Sequence, residues 1–306
     1  MIVYVDSGST DDSVEYASRL ELPVVKLDME IPFTAARARN AGFNRLCQLH
    51  PDTEFVQFLD GDCILSPDWL QTGIDFLASE TSFAAVCGRV REVDRDGSIY
   101  NRLLDLEWDT LIGETKACGG IAILRRAAFD QVGGFNAMVI AGEEPEMCVR
   151  LRQLGWRIMR LDAEMTKHDA DMHRFGQWWK RAKRAGHAYA EGAAIHGRGP
   201  FQHKVREVRS ALFWGGLIPL FAIVCLLLSG LHLSMLLGLI VVSIAYSVLC
   251  VKIYRSSRQR CWSAEDSWLF SFFCVLSKVP CCFGIMQYWF NRWCGAQSKL
   301  IEYKQS

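Results

Sequence analysis

The most conspicuous absence in this 306-residue sequence is charge over one long stretch. No Lys, Arg, Asp or Glu occurs between Ser210 and Val251. Segments 212–231 and 233–253 each supply about the 20 apolar residues that a membrane-spanning helix needs. Only Leu231-His232-Leu233 separates their cores, so the sequence predicts a tight transmembrane helical hairpin.

Other features are scarce, and their scarcity excludes several classes. The chain has 34 basic and 34 acidic residues, so its zero net charge gives no indication of a nucleic-acid partner. Its 12 Cys lack the paired spacing of a metal site and are interpreted as structural. No secretory signal opens the chain, which predicts a soluble part in the reducing cytosol.

Basic residues lie on both sides of the charge-free stretch. Residues 174–209 hold nine Lys or Arg against two Glu, and Lys252, Arg255 and Arg258 follow with no acid. The positive-inside rule places both flanks on the cytoplasmic side of a cytoplasmic or inner membrane. A third apolar stretch, 268–290, is interrupted by Lys278 and Pro280, so it is either interfacial, re-entrant or a kinked third span.

The N-terminal part alternates between strand and helix patterns. Predicted strands cover 1–5, 22–27, 55–60, 84–93, 121–124 and 156–161, and predicted helices cover 33–49, 68–77, 147–154 and 174–193. This alternation is typical of an α/β fold with a mostly parallel sheet flanked by helices. The predicted domains are 1–195, a basic connector 196–211, the hairpin 212–253, and 254–306 with the third apolar segment.

Two carboxylates follow the apolar strand that contains Val56 and Phe58. Asp60 and Asp62 are separated by Gly61, which lets backbone and ligand come close. Hard oxygen ligands at the end of a strand suit Mg²⁺ or Mn²⁺ carrying a diphosphate. The spacing alone is weak evidence for a metal site, because most Asp-x-Asp pairs are solvated acids in turns.

Five motifs in order make the signal more specific, and they are Val5-Asp-Ser-Gly-Ser-Thr-Asp11, Ala38-Arg-Asn-Ala-Gly42, Leu59-Asp-Gly-Asp62, Gly142-Glu-Glu-Pro-Glu146 and Arg174-Phe-Gly-Gln-Trp178. Over roughly residues 1–190 the chain resembles the family 2 glycosyltransferases. The resemblance implies a GT-A fold and an inverting enzyme that uses a nucleotide-diphospho-sugar. Members of that family usually begin with a further strand and helix before the Asp6 motif. We therefore expect either that the true start lies upstream or that the fold is trimmed and nucleotide binding is weakened.

The resemblance also implies roles for the donor site. Asp6 would contact the nucleotide base, and Arg39 would lie near the nucleotide, where a guanidinium suits the diphosphate or stacking on the base. Asp60 would face the ribose or the metal, and Asp62 would bind the metal. The alternatives are that Asp6 only stabilises a turn and that Arg39 is a solvated helix residue.

Inversion needs a base that deprotonates the attacking acceptor hydroxyl. The family usually supplies an aspartate at the position matched here by Glu144, and Glu143 is the next candidate. The plainer interpretation is that acids in a first helical turn are favoured by the helix dipole. The resemblance further implies that His168 faces the metal or diphosphate.

The last motif and one glycine pair complete the expected site. Arg174 and Gln177 would hold the diphosphate, and Trp178 would pack on an acceptor sugar. Gly119 and Gly120 would shape the acceptor side. The alternative for the segment around Trp178 is a basic amphipathic helix on anionic lipid.

The expected protein is therefore a membrane-anchored glycosyltransferase facing the cytoplasm. It would use a nucleotide-diphospho-sugar donor and a lipid-linked or saccharide acceptor, in polysaccharide or glycolipid synthesis at the cell surface. A nucleotidyltransferase on a similar fold would need a Gly-rich phosphate loop, and none is visible. A truncated, non-catalytic membrane protein is the third possibility.

Overall fold

The computed structural model describes residues 1–296 of the chain, so the last ten residues of the predicted segment 254–306 lie outside the described part. The chain forms two compact units. The first contains residues 1–93 and 109–169, and the second contains residues 94–108 and those from 170 onward. The boundary thus follows residue 169, whereas the sequence predicts one domain as far as 195.

The first unit is an α/β layer structure. Its strands are β1 (Tyr4–Asp6), β2 (Val24–Lys26), β3 (Phe55–Phe58), β4 (Cys63–Leu65), β5 (Phe83–Glu92), β6 (Gly113–Glu114), β7 (Ala122–Arg125) and β8 (Arg157–His168). Its helices are α1 (Ser13–Arg19), α2 (Ala35–Leu49), α3 (Trp69–Ser79), α5 (Arg126–Gln131) and α6 (Glu143–Gln153). Helix α4 (Ile99–Trp108), for which no element was predicted, belongs to the second unit.

The main sheet has the order β3-β7-β5-β8-β4, with β6 also paired to β8, while β1 and β2 form a separate parallel pair. The prediction of an α/β sheet flanked by helices is confirmed, but the pairing is mixed. Only β5 and β8 are parallel neighbours in the main sheet, because β7 lies between β3 and β5 and runs antiparallel to both. Alternation along the chain does not reveal such an insertion.

Strand β8 is one 12-residue strand, where the sequence predicts a short strand at 156–161. Its register against β5 shifts around Arg89. A Cβ on Gly88 would lie 2.5 Å from the carbonyl oxygen of Ala163, so the close approach requires glycine there. The long β8 carries the chain to His168, at the same sheet edge as β4.

An aromatic cluster lies beneath the end of β3. Phe58 is buried, and its ring centroid is 5.2 Å from that of Phe135 and 5.4 Å from that of Phe129. Phe43 of α2 lies 4.5 Å from Phe129. This packing holds α2 against β3 and so positions the residues that follow each of them.

The second unit is helical. Besides α4 it contains α7 (Phe175–His196), α8 (Val205–Leu212), a π-helical turn (Phe213–Leu217), α9 (Ile218–Leu228), α10 (Met235–Arg258), α11 (Ala264–Leu276) and α12 (Lys278–Trp293). Within residues 1–296, three segments are long and apolar enough to cross a membrane, namely Val205–Leu228, Met235–Arg258 and Ala264–Trp293. The first two contain the predicted hairpin, in which the Tyr246 hydroxyl donates to the Trp214 carbonyl oxygen at 2.5 Å.

Candidate functional site

Arg39 connects two acids that are far apart in the sequence. Its Nη2 donates to Asp60 Oδ1 at 2.7 Å, and its Nη1 donates to Glu143 Oε1. Burial opposes the charge of Arg39, but the carboxylates of Asp60 and then Glu143 outweigh it and hold its pKa above the ordinary value. The guanidinium is therefore a permanent cation, not a solvated surface group.

Helix α2 positions Arg39 through its neighbour in the sequence. Asn40 Nδ2 donates to the Phe135 carbonyl oxygen at 2.7 Å, and the Phe135 amide donates to Asn40 Oδ1 at 3.0 Å. The Arg39 guanidinium lies 5.7 Å from the Phe135 ring centroid. The Arg-Asn pair thus fixes both the cation and the segment beneath it.

The predicted glycine pair lies against this cation. Gly119 has φ +88°, a conformation that favours glycine. A Cβ on Gly120 would lie 2.5 Å from Arg39 Nη2 and 3.5 Å from Asp60 Oδ2. The structure therefore brings Gly120, Arg39 and Asp60 together.

The three acids at the start of α6 point in different directions. Gly142 precedes them at φ 82°. Glu143 pairs with Arg39, while Glu146 accepts from Arg150 Nη2 at 2.7 Å, and the same nitrogen donates to the Gly134 carbonyl oxygen at 2.8 Å. Although all three lie in the favoured first turn, each side chain also makes a specific contact.

Glu144 lies in a buried cluster with two thiols. Its Oε1 accepts from the Cys118 amide at 2.7 Å, from Cys118 Sγ at 3.0 Å and from Cys148 Sγ at 2.8 Å. Burial raises the pKa of Glu144, and the hydrogen bonds from Cys148 and Cys118 oppose that rise. The residue is 4% exposed, and its carboxylate also ties the loop before β7 to α6.

Asp62 and His168 meet at the edge of the sheet. Cys63 pairs with His168 across β4 and β8, and His168 Nε2 lies 3.5 Å from Asp62 Oδ1. The Asp169 amide donates to the Asp62 carbonyl oxygen at 2.9 Å. This backbone pairing explains why two residues more than one hundred positions apart face each other.

The donor set at this edge fits a divalent metal. Two ligands of one ion with bonds of about 2.1 Å lie roughly 3 to 4 Å apart, as these two atoms do. A carboxylate and an imidazole suit Mn²⁺, and the carboxylate suits Mg²⁺. Burial, and then Asp62 and Asp60, raise the pKa of the adjacent Cys63 thiol, so it stays protonated.

Asp6 ends β1 and is 8% exposed. Its Oδ1 accepts from the Ser9 amide at 3.0 Å, and hydrogen bonds from Ser9 lower its pKa against the effect of burial. The predicted turn role is therefore present. Its predicted contact with a nucleotide base stays a prediction.

The first unit matches known families over the region that holds these residues. Residues 1–133 match the model of glycosyl transferase family 2, and residues 107–174 match the model of the N-terminal domain of galactosyltransferase. Residues 1–133 are therefore similar to the family 2 glycosyltransferases. The predicted resemblance is confirmed, and the residues around Arg39, Asp62 and Glu144 fall within the matched range.

Two curated relatives that the chain resembles are bacterial. The O-antigen chain rhamnosyltransferase WbaN of Salmonella anatum is 27% identical over 180 residues, which cover 55% of this chain and 56% of the relative. The O-antigen chain rhamnosyltransferase RfbN of Salmonella typhimurium is 24% identical over 182 residues, with the same coverage. The chain thus spans about half the length of the curated relatives it matches.

A solved structure shares the fold. The mannosyltransferase PcManGT from Pyrobaculum calidifontis, solved with GDP-Man and Mn²⁺, covers 95% of this chain and 78% of its own chain. The comparison of the two structures gives a TM-score of 0.53 at 17% sequence identity. This likeness supports the GT-A fold that was predicted for this chain.

Three of the predicted site residues lie in the second unit, namely Arg174, Gln177 and Trp178. Gln177 Oε1 accepts from the amides of His173 and Arg174, both at 2.9 Å, so it caps the start of α7. Trp178 is 2% exposed, and its ring centroid is 4.9 Å from that of Phe273. The prediction that Trp178 stacks on an acceptor sugar is wrong, because its ring is buried in the core of the second unit. The side-chain carbonyl of Gln177 caps α7, and Arg174 is the N-cap residue of that helix.

Residues with contacts in the site were missed from the sequence. Cys118 and Cys148 bind the Glu144 carboxylate, and Cys63 lies beside Asp62, with its Sγ 3.5 Å from Oδ1. Cys148 follows Glu144 by four helical residues, a spacing that places both on one face. That signal was available, whereas Cys118 reaches Glu144 only through the fold.

Proposed function

We propose that this protein is a membrane-anchored, inverting glycosyltransferase whose catalytic domain faces the cytoplasm. It moves a hexosyl group from a nucleotide-diphospho-sugar to a lipid-linked or saccharide acceptor in the assembly of cell-surface polysaccharide. The observation that carries the proposal is the bridge from Asp60 through Arg39 to Glu143, close in sequence to the Asp62–His168 pair. This arrangement gathers a cation, a metal-ligand pair and acids within one unit.

Donor binding is assigned to the Arg39 and Asp62 parts of the site. Asp62 and His168 would hold Mg²⁺ or Mn²⁺, which supplies positive charge for the diphosphate leaving group. Asp60, held by Arg39, faces the ribose, and Asp6 accepts from the nucleotide base. Burial of Arg39 keeps its guanidinium oriented, so little reorganisation is needed when the donor binds.

Glu144 is proposed as the base. Its raised pKa suits proton abstraction near neutral pH, whereas Glu143 is engaged with Arg39. The acceptor oxygen forms a bond to the anomeric carbon as the bond from that carbon to the diphosphate oxygen breaks, and the hydroxyl proton passes to Glu144. Because Glu144 is enclosed, its carboxylate must turn from Cys118 and Cys148 toward the acceptor.

The membrane and polysaccharide parts of the proposal have separate support. Two apolar segments with basic flanks suit a bilayer anchor near an acceptor that is itself lipid-linked. The two curated relatives are named O-antigen chain rhamnosyltransferases, so rhamnose is the first sugar to test.

The test begins with calorimetry of the full chain in detergent, using UDP-, GDP- and TDP-sugars, TDP-rhamnose included, with Mn²⁺. We expect one donor to bind, and Asp62→Asn to weaken Mn²⁺ binding measured by electron paramagnetic resonance. Absence of heat from every donor would reject the enzyme and favour a non-catalytic membrane protein. Release of pyrophosphate from a nucleoside triphosphate would favour a nucleotidyltransferase.

Glu144→Gln separates the two roles of Glu144. The amide can still accept from Cys118, so the loop and the donor affinity should be kept while sugar transfer is lost. Retained turnover would exclude Glu144 as the base. A large loss of donor affinity would instead assign it a purely structural role.

A further inference from the structure

The third apolar segment, Ala264–Trp293, contains α11 and α12, which meet at Ser277. The Ser277 amide donates to the Phe273 carbonyl oxygen at 2.8 Å and the Cys281 amide donates to the Ser277 carbonyl oxygen at 3.0 Å, so the segment is long enough to cross a bilayer and its position depends on its surroundings. Lys278 lies halfway along the segment. A single straight crossing would therefore place its ammonium at the bilayer centre, which is strongly unfavourable.

Helix α12 packs on a charged helix. A Cβ on Gly284 would overlap the Lys183 carbonyl oxygen, and a Cβ on Gly186 would overlap the backbone of Cys281. The Cys281 thiol donates to the Ala182 carbonyl oxygen at 3.2 Å. The basic residues of α7 along this contact are Lys180, Arg181, Lys183 and Arg184. If α12 crossed the hydrocarbon, these cations would have to enter it as well.

The start of α11 is also in polar surroundings. Asp266 Oδ1 accepts from Arg102 Nε at 2.6 Å and from Arg95 Nη2 at 3.0 Å. Glu265 accepts from Arg102 Nη1 at 2.6 Å. These ion pairs tie α11 to the segment 94–108 of the same unit, outside any hydrocarbon layer.

The contacts of α11 and α12 with the hairpin lie at its basic end. A Cβ on Gly215 would overlap the Lys278 carbonyl oxygen, only six residues after Arg209. The rings of Tyr254 and Trp268 stack at 4.4 Å, next to Arg255. The junction of α11 and α12 at Ser277 therefore lies near the membrane boundary that the basic flanks define.

One face of α12 is apolar and exposed. Phe283 and Met286 are each 47% exposed, Phe290 is 60% exposed and Trp293 is 85% exposed. They lie on the side opposite Cys281, Ile285 and Tyr288, which are buried. A one-sided aromatic face beside a basic helix is typical of a segment resting in the headgroup region of an anionic bilayer.

We propose that Ala264–Trp293 lies in the membrane interface, and that residues 1–296 span the bilayer twice, not three times. The exposed apolar face of α12 contacts the lipid headgroup layer, which is continuous with the lipid around the hairpin. The inference rests on the membrane anchoring in the proposed function, and deepens it. It requires both ends of the segment to lie on one side of the membrane.

Two native cysteines report the number of spans. Cys261 precedes α11 and Cys294 follows α12, and both are exposed, whereas the other cysteines are buried or half-buried. The variants Cys261→Ser and Cys294→Ser each leave one exposed thiol, and the double variant measures background. Ser234→Cys in the double variant marks the hairpin turn. All are labelled with a membrane-impermeant maleimide in intact cells and in inverted vesicles.

We expect Cys261 and Cys294 to label from the same side and Ser234→Cys to label from the other. Labelling of Cys294 together with Ser234→Cys, opposite to Cys261, would establish a third span and overturn the inference. If the chain does not sediment with membranes after alkaline washing, the anchoring itself fails. That result overturns the proposed function in its membrane part and is distinguishable from a third span.

Depth gives a second measurement. Met286→Cys on α12 and Val241→Cys on α10, both in the double-serine background, carry the same fluorophore in vesicles with lipids brominated at different depths. We expect the Met286 probe to be quenched several-fold more by bromines near the headgroup, and the Val241 probe by bromines near the chain ends. Equal deep quenching of both probes would overturn the interfacial assignment.

Discussion

A Cβ atom on Gly120 would lie 2.5 Å from Nη2 of Arg39, the nitrogen that donates to Asp60 at 2.7 Å. Gly120, unlike Gly119, has no positive φ, so it is required for space and not for backbone conformation. The loop before β7 therefore sets where the guanidinium lies. Since Glu144 holds that same loop through Cys118, the candidate base and the donor site are mechanically connected.

Gly120→Ala should displace Arg39 from Asp60. Because Arg39 is buried, its guanidinium has little room to move, and loss of a hydrogen bond between charged groups costs about 1.5 to 3 kcal/mol. We expect donor affinity to fall roughly 10- to 100-fold, measured by calorimetry. Gly230→Ala is the matched control, because it lies outside the donor site and nothing lies within 4 Å of a Cβ there. Equal losses in both variants would contradict the role of Gly120.

Cys148→Ala should change the pH dependence of transfer. The Cys148 hydrogen bond opposes the rise in the pKa of Glu144, so its removal should raise that pKa further. A base must be ionised, so kcat/KM, followed as the pH is lowered, should begin to fall at a higher pH in this variant than in the wild type. Cys148→Ser keeps a donor and should leave the profile nearly unchanged. An identical acid limb in wild type and Cys148→Ala would exclude Glu144 as the titrating group.

The sequence predicted which residues lie in the candidate site better than it predicted which side chains they contact. Asp60 was predicted from the end of its strand, whereas Arg39 and Glu143 were predicted from the resemblance to the family 2 glycosyltransferases. Their pairing through the Arg39 guanidinium depends on how α2, β3 and α6 meet, which no local pattern encodes. The cluster of Cys118 with Glu144 was missed for the same reason.

The failures have physical causes as well. The insertion of β7 between β3 and β5 is a long-range choice of neighbours, so a parallel sheet was predicted where a mixed one forms. An exposed tryptophan can stack on a sugar, but burial of its large apolar ring stabilises the folded protein. Trp178 is buried in this way against Phe273. The apolar helices were predicted closely, because a soluble domain rarely contains 42 consecutive residues without a charged side chain.

Gly284→Ala should separate α12 from α7. An added Cβ would overlap the Lys183 carbonyl oxygen, which is backbone and cannot rotate away. We expect a loss of unfolding free energy of about 1 to 3 kcal/mol, seen as a lower midpoint of thermal unfolding in detergent. Gly176→Ala on α7 has open space around its Cβ and should be neutral or slightly stabilising. A wild-type midpoint for Gly284→Ala would show that the two helices are not in backbone contact.

His187 should make the second unit sensitive to acid. Its ring is 1% exposed, lies edge-on to Tyr288 at 5.2 Å, and has Glu191 Oε2 4.0 Å from Nδ1. Burial lowers its pKa from 6.5 to about 4, despite the nearby carboxylate. Between those values the unfolded chain binds a proton that the folded chain does not, so stability present above pH 6.5 is lost as the pH falls toward 4.

The size of that loss follows from the shift in pKa. A difference of this extent corresponds to roughly 3 kcal/mol at pH 4. We expect His187→Phe, which keeps an aromatic ring against Tyr288 and cannot bind a proton, to flatten the dependence of the unfolding midpoint on pH between 6.5 and 4. If the unfolding midpoint of His187→Phe kept the wild-type dependence on pH, other residues would be responsible for it. The pKa of His187 would then be similar in the folded and unfolded chains.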